Sequence, residues 1–251
     1  KAPARLMRLR EKVETLRELG IDQVVCLQFN SALRRLTAEE FVSRVLVNGL
    51  STRYLIVGDD FRFGCDRSGD FAMLRKAGEH HDFEVQDTDT LEVDGQRVSS
   101  TLVRQVLSQS DFEGASLLLG RPFTIKGCVV YGQQLGKKLG FPTANVQLNR
   151  YSAPISGVFA VLVTIAGDIY QGAANVGIRP TVGGLVKPIL EVHLLDFRGD
   201  LYGHRIEVEF KHKIREEKKF TTLDSLVENI RRDVNDIRTW FSQQNNTENK
   251  A

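Results

Sequence analysis

Apolar and polar positions alternate along the first part of the chain in two distinct rhythms. Leu6, Leu9, Val13, Leu16 and Leu19 recur at intervals of three and four, one face of a helix over 5–19 that Gly20 ends. Val24–Phe29 is a continuous β-like run. Thr37 and Glu40 form a capping box ahead of Phe41, Val42, Val45 and Leu46, which predicts a second helix ending near Asn48-Gly49. Tyr54–Val57 then reads as a strand. Ser68-Gly-Asp70 precedes a third helical pattern with Phe71, Leu74 and Ala77, and Phe83–Val85 opens another strand. Helix and strand in alternation predict a parallel sheet flanked by helices, an architecture whose ligands sit beyond the carboxyl ends of its strands.

A helical stretch over 102–119 follows, and at Gly120-Arg-Pro122 the rhythm changes. Beyond it, β-like runs at 123–131, 158–165, 169–175, 189–196 and 205–211 are separated by Gly, Pro and Asp turns, the pattern of a small antiparallel barrel. Thr222 caps a last helix in which Leu223, Leu226, Val227, Ile230, Val234, Ile237 and Phe241 make one apolar face, suited to covering the barrel. The polar tail 243–251 is expected to be mobile. Two domains result: an α/β domain over 1–120 and a β domain over 121–251.

Composition narrows the class. With 41% hydrophobic residues the chain can build cores, and no apolar run approaches the about 20 residues needed to span a bilayer, so no membrane is expected. Lys and Arg number 34 against 32 Asp and Glu, a balance that does not call for a nucleic-acid partner. The basic run Lys211 to Lys219 is interrupted by Glu216 and Glu217 and reads as a solvated strand end and loop. Cys26, Cys65 and Cys128 are odd in number and far apart, neither a disulfide framework nor a zinc pattern, which fits a reducing cytoplasm. The histidines match no metal spacing. The first residues, Lys1-Ala-Pro-Ala, carry neither a methionine nor a signal-peptide pattern, and a beginning further upstream is expected. Composition sets no oligomeric state.

Chemistry concentrates between Val130 and Asn145. Gly132, Gly136 and Gly140 stand at four-residue spacing around Lys137 and Lys138. Glycine lets a backbone bring its N–H groups close to a ligand's oxygens, and lysine adds a mobile positive charge, a combination suited to a polyphosphate such as that of ATP. The segment is no Walker A loop, because three residues separate Gly132 from Gly136 and Lys138 stands where Ser or Thr would follow. Thr143 and Asn145 supply two hard oxygens that point to one side of an extended chain, the donor type Mg²⁺ prefers. A glycine hairpin followed by an ordinary polar turn accounts for the same residues equally well.

Two further places carry possible site residues. In Ile189–Asp196, Leu190, Val192 and Leu194 form an apolar face, so Glu191 and His193 point the other way. A carboxylate fixed on a strand can act as general base toward an alcohol, although a solvent-facing Glu is the commoner case. In the first domain, the loop Gly58–Gly64 follows a strand, and Ser99, Ser100 and Thr101 crowd a helix start, with Arg104 in its first turns. Such an end attracts phosphate, but the same residues also serve as plain caps. Taken together, the β-domain parts match phosphoryl transfer: loop and lysine for the phosphates, Thr143 and Asn145 for a metal, Glu191 for the attacking hydroxyl.

Several of these segments are also similar to a known family. Gly140–Asn145, Asn175-Val-Gly-Ile-Arg-Pro-Thr181, Leu190–Phe197 and Ile214–Phe220 resemble the riboflavin kinase module. Gly58–Gly64 and Val98–Arg104 resemble the adenylyltransferase half of the bacterial bifunctional enzymes that make FMN and then FAD. The resemblance implies a Rossmann-like nucleotidyltransferase domain followed by a six-stranded antiparallel barrel with a C-terminal helix. The barrel would transfer the γ-phosphate of ATP to the ribityl 5′-hydroxyl of riboflavin, with Thr143 and Asn145 holding Mg²⁺ and ATP and Glu191 as base. Arg215 and Asp233 match positions that close on the flavin. In the second reaction, Ser99, Ser100, Thr101 and Arg104 would take ATP phosphates, and Asp60 and Phe61 would lie near the nucleotide or flavin. The family's adenylyltransferase half begins with a strand, a Gly-Phe-Asp-Gly type turn and a histidine pair that this sequence does not contain. Kinase chemistry is therefore expected of the chain as it stands, and FMN adenylylation, which makes FAD, of the complete protein. A flavin- or nucleotide-binding module without catalysis is the alternative.

Overall fold

The computed structural model describes residues 3–58, 60–132, 134–149, 152–180 and 186–248. Asp59, Gln133 of the glycine loop, Thr181 of the 175–181 segment and the last residues 249–251 lie outside the described residues. Two compact units form, one of residues 21–97 and one of residues 1–20 with 98–251.

Helix α1 (Leu9–Glu18) belongs to the second of these. Its predicted apolar face is only partly used: Leu9 and Leu19 are exposed, whereas Glu11 is buried. The Glu11 carboxylate accepts the Arg8 N–H at 2.6 Å and the Lys126 N–H at 3.0 Å, and these bonds offset the cost of burying its charge.

The unit of residues 21–97 contains the short helix α2 (Ser31–Arg34) and α3 (Ala38–Phe41), which continues as a π-helical stretch over Val42–Val47. Thr37 and Glu40 cap α3 reciprocally, at 3.1 and 3.0 Å, as their spacing predicts. Strand β1 (Tyr54–Val57), helix α4 (Phe71–His81, capped by Asp70) and strand β2 (Glu84–Asp87) follow. β1 and β2 pair in parallel, and β3 (Glu92–Val93) and β4 (Gln96–Arg97) make a hairpin. Ala38, Val42, Leu46, Phe63, Leu74 and Phe83 form the core. The β-like run Val24–Phe29 is not a strand. Val25, Leu27 and Phe29 are exposed and pair with no ladder among the described residues. Strand propensity needs a hydrogen-bonding neighbour to be realised, and among the described residues no strand pairs with this run.

In the larger unit the helical stretch over 102–119 is two helices, α5 (Ser100–Ser108) and α6 (Phe112–Leu119). The chain turns between them at Ser110, with φ +61°, and Asp111 caps the second. The strands that follow are β5 (Thr124–Val130), β6 (Ala144–Val146), β7 (Gly157–Ile165), β8 (Asp168–Pro180), β9 (Val186–Leu194) and β10 (Arg205–Arg215). They close into an antiparallel barrel in the order β10-β5-β6-β9-β8-β7. A short helix, α7 (Leu135–Lys138), lies between β5 and β6.

Alternate residues of each strand fill the barrel, among them Ile125, Phe159, Val161, Val192, Val208 and Phe210. Val103, Leu107, Phe112 and Ala115 of α5 and α6 join the same core, and the Phe112 ring meets Phe159 edge-on at 5.7 Å. The texture change at Gly120 thus marks where the strands begin, while the packing divides at 20/21 and 97/98.

Helix α8 (Leu223–Glu248) starts at Thr222, whose hydroxyl accepts from the Ser225 N–H at 3.2 Å. Ile237 and Phe241 pack on Ala160 and Leu195, against the outside of the barrel. Residues 243–248 of the expected mobile tail are helical, because intrahelical bonds carry the polar segment onward from the anchored turns.

Candidate functional site

Register builds the site. Asn145 of β6 pairs with Glu191 of β9, Glu191 with Asn175 of β8, Asn175 with Val158 of β7, and Val158 with Arg215 of β10. Residues directly opposite on antiparallel strands point to the same face with Cβ atoms about 4.5–5.5 Å apart, so one row crosses five strands. Its face is the barrel's exterior, since the flanking residues Ala144, Val146, Leu190, Val192, Ala174 and Val176 are buried inside. Every member of the row lines one cavity of about 260 Å³. Its walls also include Gly136, Phe141 and Thr143 on one side and Leu226, Ile230, Asp233 and Val234 of α8 on the other.

Arg215 reaches this row because β10 is irregular. Register shifts fall between Phe210 and His212 and again between Lys213 and Arg215. Such bulges re-aim side chains that strict alternation would send elsewhere. The guanidinium then donates to both oxygens of Asp233, Nε to Oδ1 at 2.8 Å and Nη2 to Oδ2 at 2.7 Å, a bidentate pair joining β10 to α8. The Phe220 ring lies 5.6 Å from the guanidinium carbon.

The glycines of the loop serve a purpose beyond backbone freedom. A Cβ on Gly132 would overlap the Asn145 amide, and one on Gly136 would overlap the Phe141 carbonyl and stand 3.3 Å from the Thr143 hydroxyl. Bare glycine lets the chain lie directly against the two oxygen-bearing side chains. Gly140 is the exception, with φ +86° in the turn after α7. Lys137 lines a second cavity of about 330 Å³ with Pro142, Phe197, Leu201 and Tyr202. Thr143 lines both cavities. Gly132 and Gly140 support the loop from outside these two cavities.

His193 sits two residues from Glu191 on the same face of β9, and its Nδ1 lies 2.8 Å from the Pro142 carbonyl oxygen. Beyond it Asp196 makes a bidentate pair with Arg238 of α8, at 2.7 and 2.8 Å. Hydrogen bonds from Arg238 hold the Asp196 carboxyl below the usual aspartate value, against a smaller opposing effect of desolvation.

The adenylyltransferase-type residues are distributed over both units. Ser99 caps α5, its hydroxyl accepting the Leu102 N–H at 3.1 Å, with Ser100 and Thr101 exposed in the first turn. Arg104 donates to the carbonyls of Ala4 at 2.7 Å and Ser100 at 2.9 Å. In the other unit Asp60 is exposed and lies 3.9 Å from Arg97, and Phe61 stacks on Phe63 at 5.6 Å against the core.

Asn175 and the apolar cavity-lining residues of α8 leave little mark in the hydrophobic pattern of the chain. Asn175 carried one usable signal, since Asn is disfavoured inside strands and a strand Asn needs a reason to be there. Leu226 and Ile230 carried none, because an apolar face looks the same whether it covers a core or walls a cavity.

Comparison with known proteins accords with this geometry. Residues 119–241 match the riboflavin kinase family model and residues 1–102 the FAD synthetase model. The chain is 53% identical over 233 residues to the bifunctional riboflavin kinase/FMN adenylyltransferase of Pseudomonas fluorescens, covering 93% of this chain and 75% of that protein. With the Escherichia coli (strain K12) protein of the same name it shares 49% over 242 residues, 96% of this chain and 77% of that one. Among solved structures it resembles one described as a macrolide-efflux protein from Streptococcus pneumoniae, with TM-score 0.75 and 30% identity, covering 94% of this chain and 76% of that one. The efflux function in that name stays with that protein; among the described residues here, no helix is long and apolar enough to cross a membrane. By its sequence, the chain belongs to the family of bifunctional riboflavin kinase/FMN adenylyltransferases.

Proposed function

We propose that this chain transfers the γ-phosphate of ATP to the ribityl 5′-hydroxyl of riboflavin, giving FMN and ADP, and that residues 121–251 form the kinase module. The observation that carries this reading is the direct pairing of Asn145 with Glu191, which sets an amide oxygen beside a carboxylate on one cavity wall. Glu191 takes the proton of the 5′-hydroxyl as its oxygen bonds to the γ-phosphorus; the bond from that phosphorus to the β,γ-bridging oxygen breaks and ADP leaves.

ATP lies with its phosphates along Thr143, where the two cavities meet, and its adenosine against Phe197, Leu201 and Tyr202 in the second. Gly132, Gly136 and Gly140 shape the loop beside the phosphates, and Lys137 brings its charge to them. Riboflavin occupies the first cavity, its ring system against Leu226, Ile230 and Val234 and closed by Arg215 and Asp233. Thr143 and Asn145 suit Mg²⁺, because neutral hard oxygens leave the rest of the shell to water and phosphate. Among the described residues there is no carboxylate, histidine or cysteine cluster that would form a separate metal cage. Bound there, the ion would neutralise phosphate charge.

For the family's second activity, adenylylation of FMN to FAD, we assign ATP-phosphate contacts to Ser99, Ser100, Thr101 and Arg104 within the larger unit and, separately, nucleotide or flavin contacts to Asp60 and Phe61 within the other. The cytoplasm is the assigned compartment, where free thiols such as Cys26, Cys65 and Cys128 stay reduced.

Chromatographic detection of FMN after incubation with riboflavin, ATP and Mg²⁺ tests the reading. Parent protein is expected to convert riboflavin. Glu191→Gln is expected to lower kcat by about 10²–10⁴-fold, the usual worth of general-base catalysis, with the KM for ATP little changed. Unaltered turnover in that variant would remove Glu191 from the role.

A further inference from the structure

We propose that His193 is a positioning residue for this reaction, clamping the Phe141–Thr143 segment to the strand that carries Glu191. The inference rests on the kinase reading above. A carbonyl oxygen only accepts, so the ring nitrogen 2.8 Å from the Pro142 oxygen is the one that carries the proton: Nδ1–H donates. In the neutral ring that fixes the tautomer and leaves the lone pair on Nε2.

The placement explains why a side chain is needed here. β6 and β9 are paired from Val146–Leu190 through Asn145–Glu191 to Ala144–Val192, where the ladder ends. One step further along the antiparallel register, Thr143 stands opposite His193. The backbone therefore gives Asn145 a ladder and gives Thr143 none. Pro142 lacks an N–H and cannot prolong the pairing as a donor. His193 takes over at that position, tying down the Pro142 carbonyl and meeting the Phe141 ring edge-on, with centroids 5.6 Å apart and planes at 76°. Two consecutive residues before Thr143 are thereby held to β9. The Thr143 hydroxyl then keeps a fixed distance from Asn145 and Glu191, although only those two are paired in the ladder.

Three variants separate donor, ring and bulk. His193→Phe keeps the edge contact with Phe141 and removes the N–H; the KM for ATP is expected to rise roughly five- to tenfold, the size of one lost hydrogen bond. His193, Phe141 and Thr143 also line the cavity assigned to riboflavin, so riboflavin binding without nucleotide, read from flavin fluorescence, is expected to weaken, but by less than the KM for ATP rises, because Leu226, Ile230 and Val234 keep their side of that cavity. His193→Asn places an amide N–H near the position of Nδ1 and is expected to restore the KM to within about twofold. His193→Ala, compared with His193→Asn, provides the same contrast should the phenylalanine variant not fold. Three results would each overturn the proposal: an unchanged KM for ATP in His193→Phe, a His193→Asn protein as impaired as His193→Phe, or loss of riboflavin binding together with nucleotide use, the mark of a general packing role. A parent protein that makes no FMN sinks the kinase reading itself; a parent that makes FMN beside a silent His193→Phe sinks this inference alone.

Discussion

Removing the Asp233 carboxylate tests how α8 and the barrel share the cavity proposed for the flavin. Asp233 is buried, with 6% of its surface exposed, and Arg215 binds it through two nitrogens at 2.8 and 2.7 Å. Breaking a fully buried ion pair by deleting one partner costs about 3–5 kcal/mol, because the remaining charge is stranded. Here a quarter of the Arg215 side chain already meets solvent, Nη1 also donates to the Glu216 carbonyl at 2.9 Å, and Phe220 lies across the guanidinium. The stranded charge can rehydrate and keeps other contacts, so Asp233→Ala is expected to cost about 2 kcal/mol. For a unit of this size that corresponds to a fall in Tm of about 4–8 °C. The single tryptophan, Trp240, lies on the same helix, stacked on His212 at 5.4 Å, and its fluorescence during heating reports the release of α8. Because both residues also wall the proposed flavin cavity, the KM for riboflavin is expected to rise several-fold while that for ATP does not. An unchanged Tm would show that the pair behaves as a surface bridge of negligible worth. A lowered Tm with unchanged riboflavin use would leave the pair a stabilising role and remove it from the flavin site.

Two further perturbations probe the loop and the outer contact of α8. Gly132→Ala places a Cβ where the Asn145 amide lies, so Asn145 must leave its rotamer at a cost of about 1 kcal/mol. A raised KM for ATP and a higher Mg²⁺ requirement, with a nearly parental Tm, are expected; parental kinetics would detach Asn145 from the metal role. Asp196, whose carboxyl the hydrogen bonds of Arg238 hold below the ordinary value of 3.8, contributes stability that is present above that value and lost as pH falls through the lower, folded one. The Tm difference between parent and Asp196→Asn is expected to be small, since the pair is exposed, and to shrink as pH falls below 3.8; a difference that stays constant on acidification would contradict it.

Most of the barrel unit could be read from the chain because its signals are local. Period-two alternation in 205–211, the continuous apolar run over 158–165, and the Thr222 cap with its apolar stripe each state their structure within a few residues. Glu191 was legible for the same reason, as a polar residue out of step with Leu190, Val192 and Leu194. What stayed hidden depends on partners far along the chain. β6 is three residues long, too short for a period, and exists because β5 and β9 flank it. Val24–Phe29 shows the converse, a run with strand composition that pairs with no strand among the described residues. The same division holds in the site: Thr143 and Asn145 could be chosen from donor chemistry, whereas Arg215 depended on two bulges and Asn175 on register.

These features share one cause, the size of the barrel. Six strands enclose a space that their own side chains fill, and Phe112 from α6 occupies part of what remains. With its interior taken up by side chains, the barrel carries its candidate site on the outer face, where a sheet alone offers a slope and no pocket. The missing wall has to come from elements outside the barrel. The α7 segment supplies one side and α8 the other, each joined to the strands by a bond next to the row: His193 to Pro142 on the first side, Arg215 to Asp233 on the second. The strands fix Asn145, Glu191 and Asn175 relative to one another through backbone ladders, while the walls are held by side chains. Substitution of Glu191 should therefore act on turnover, and substitutions at the two joints on the KM of the substrate assigned to the wall that has loosened.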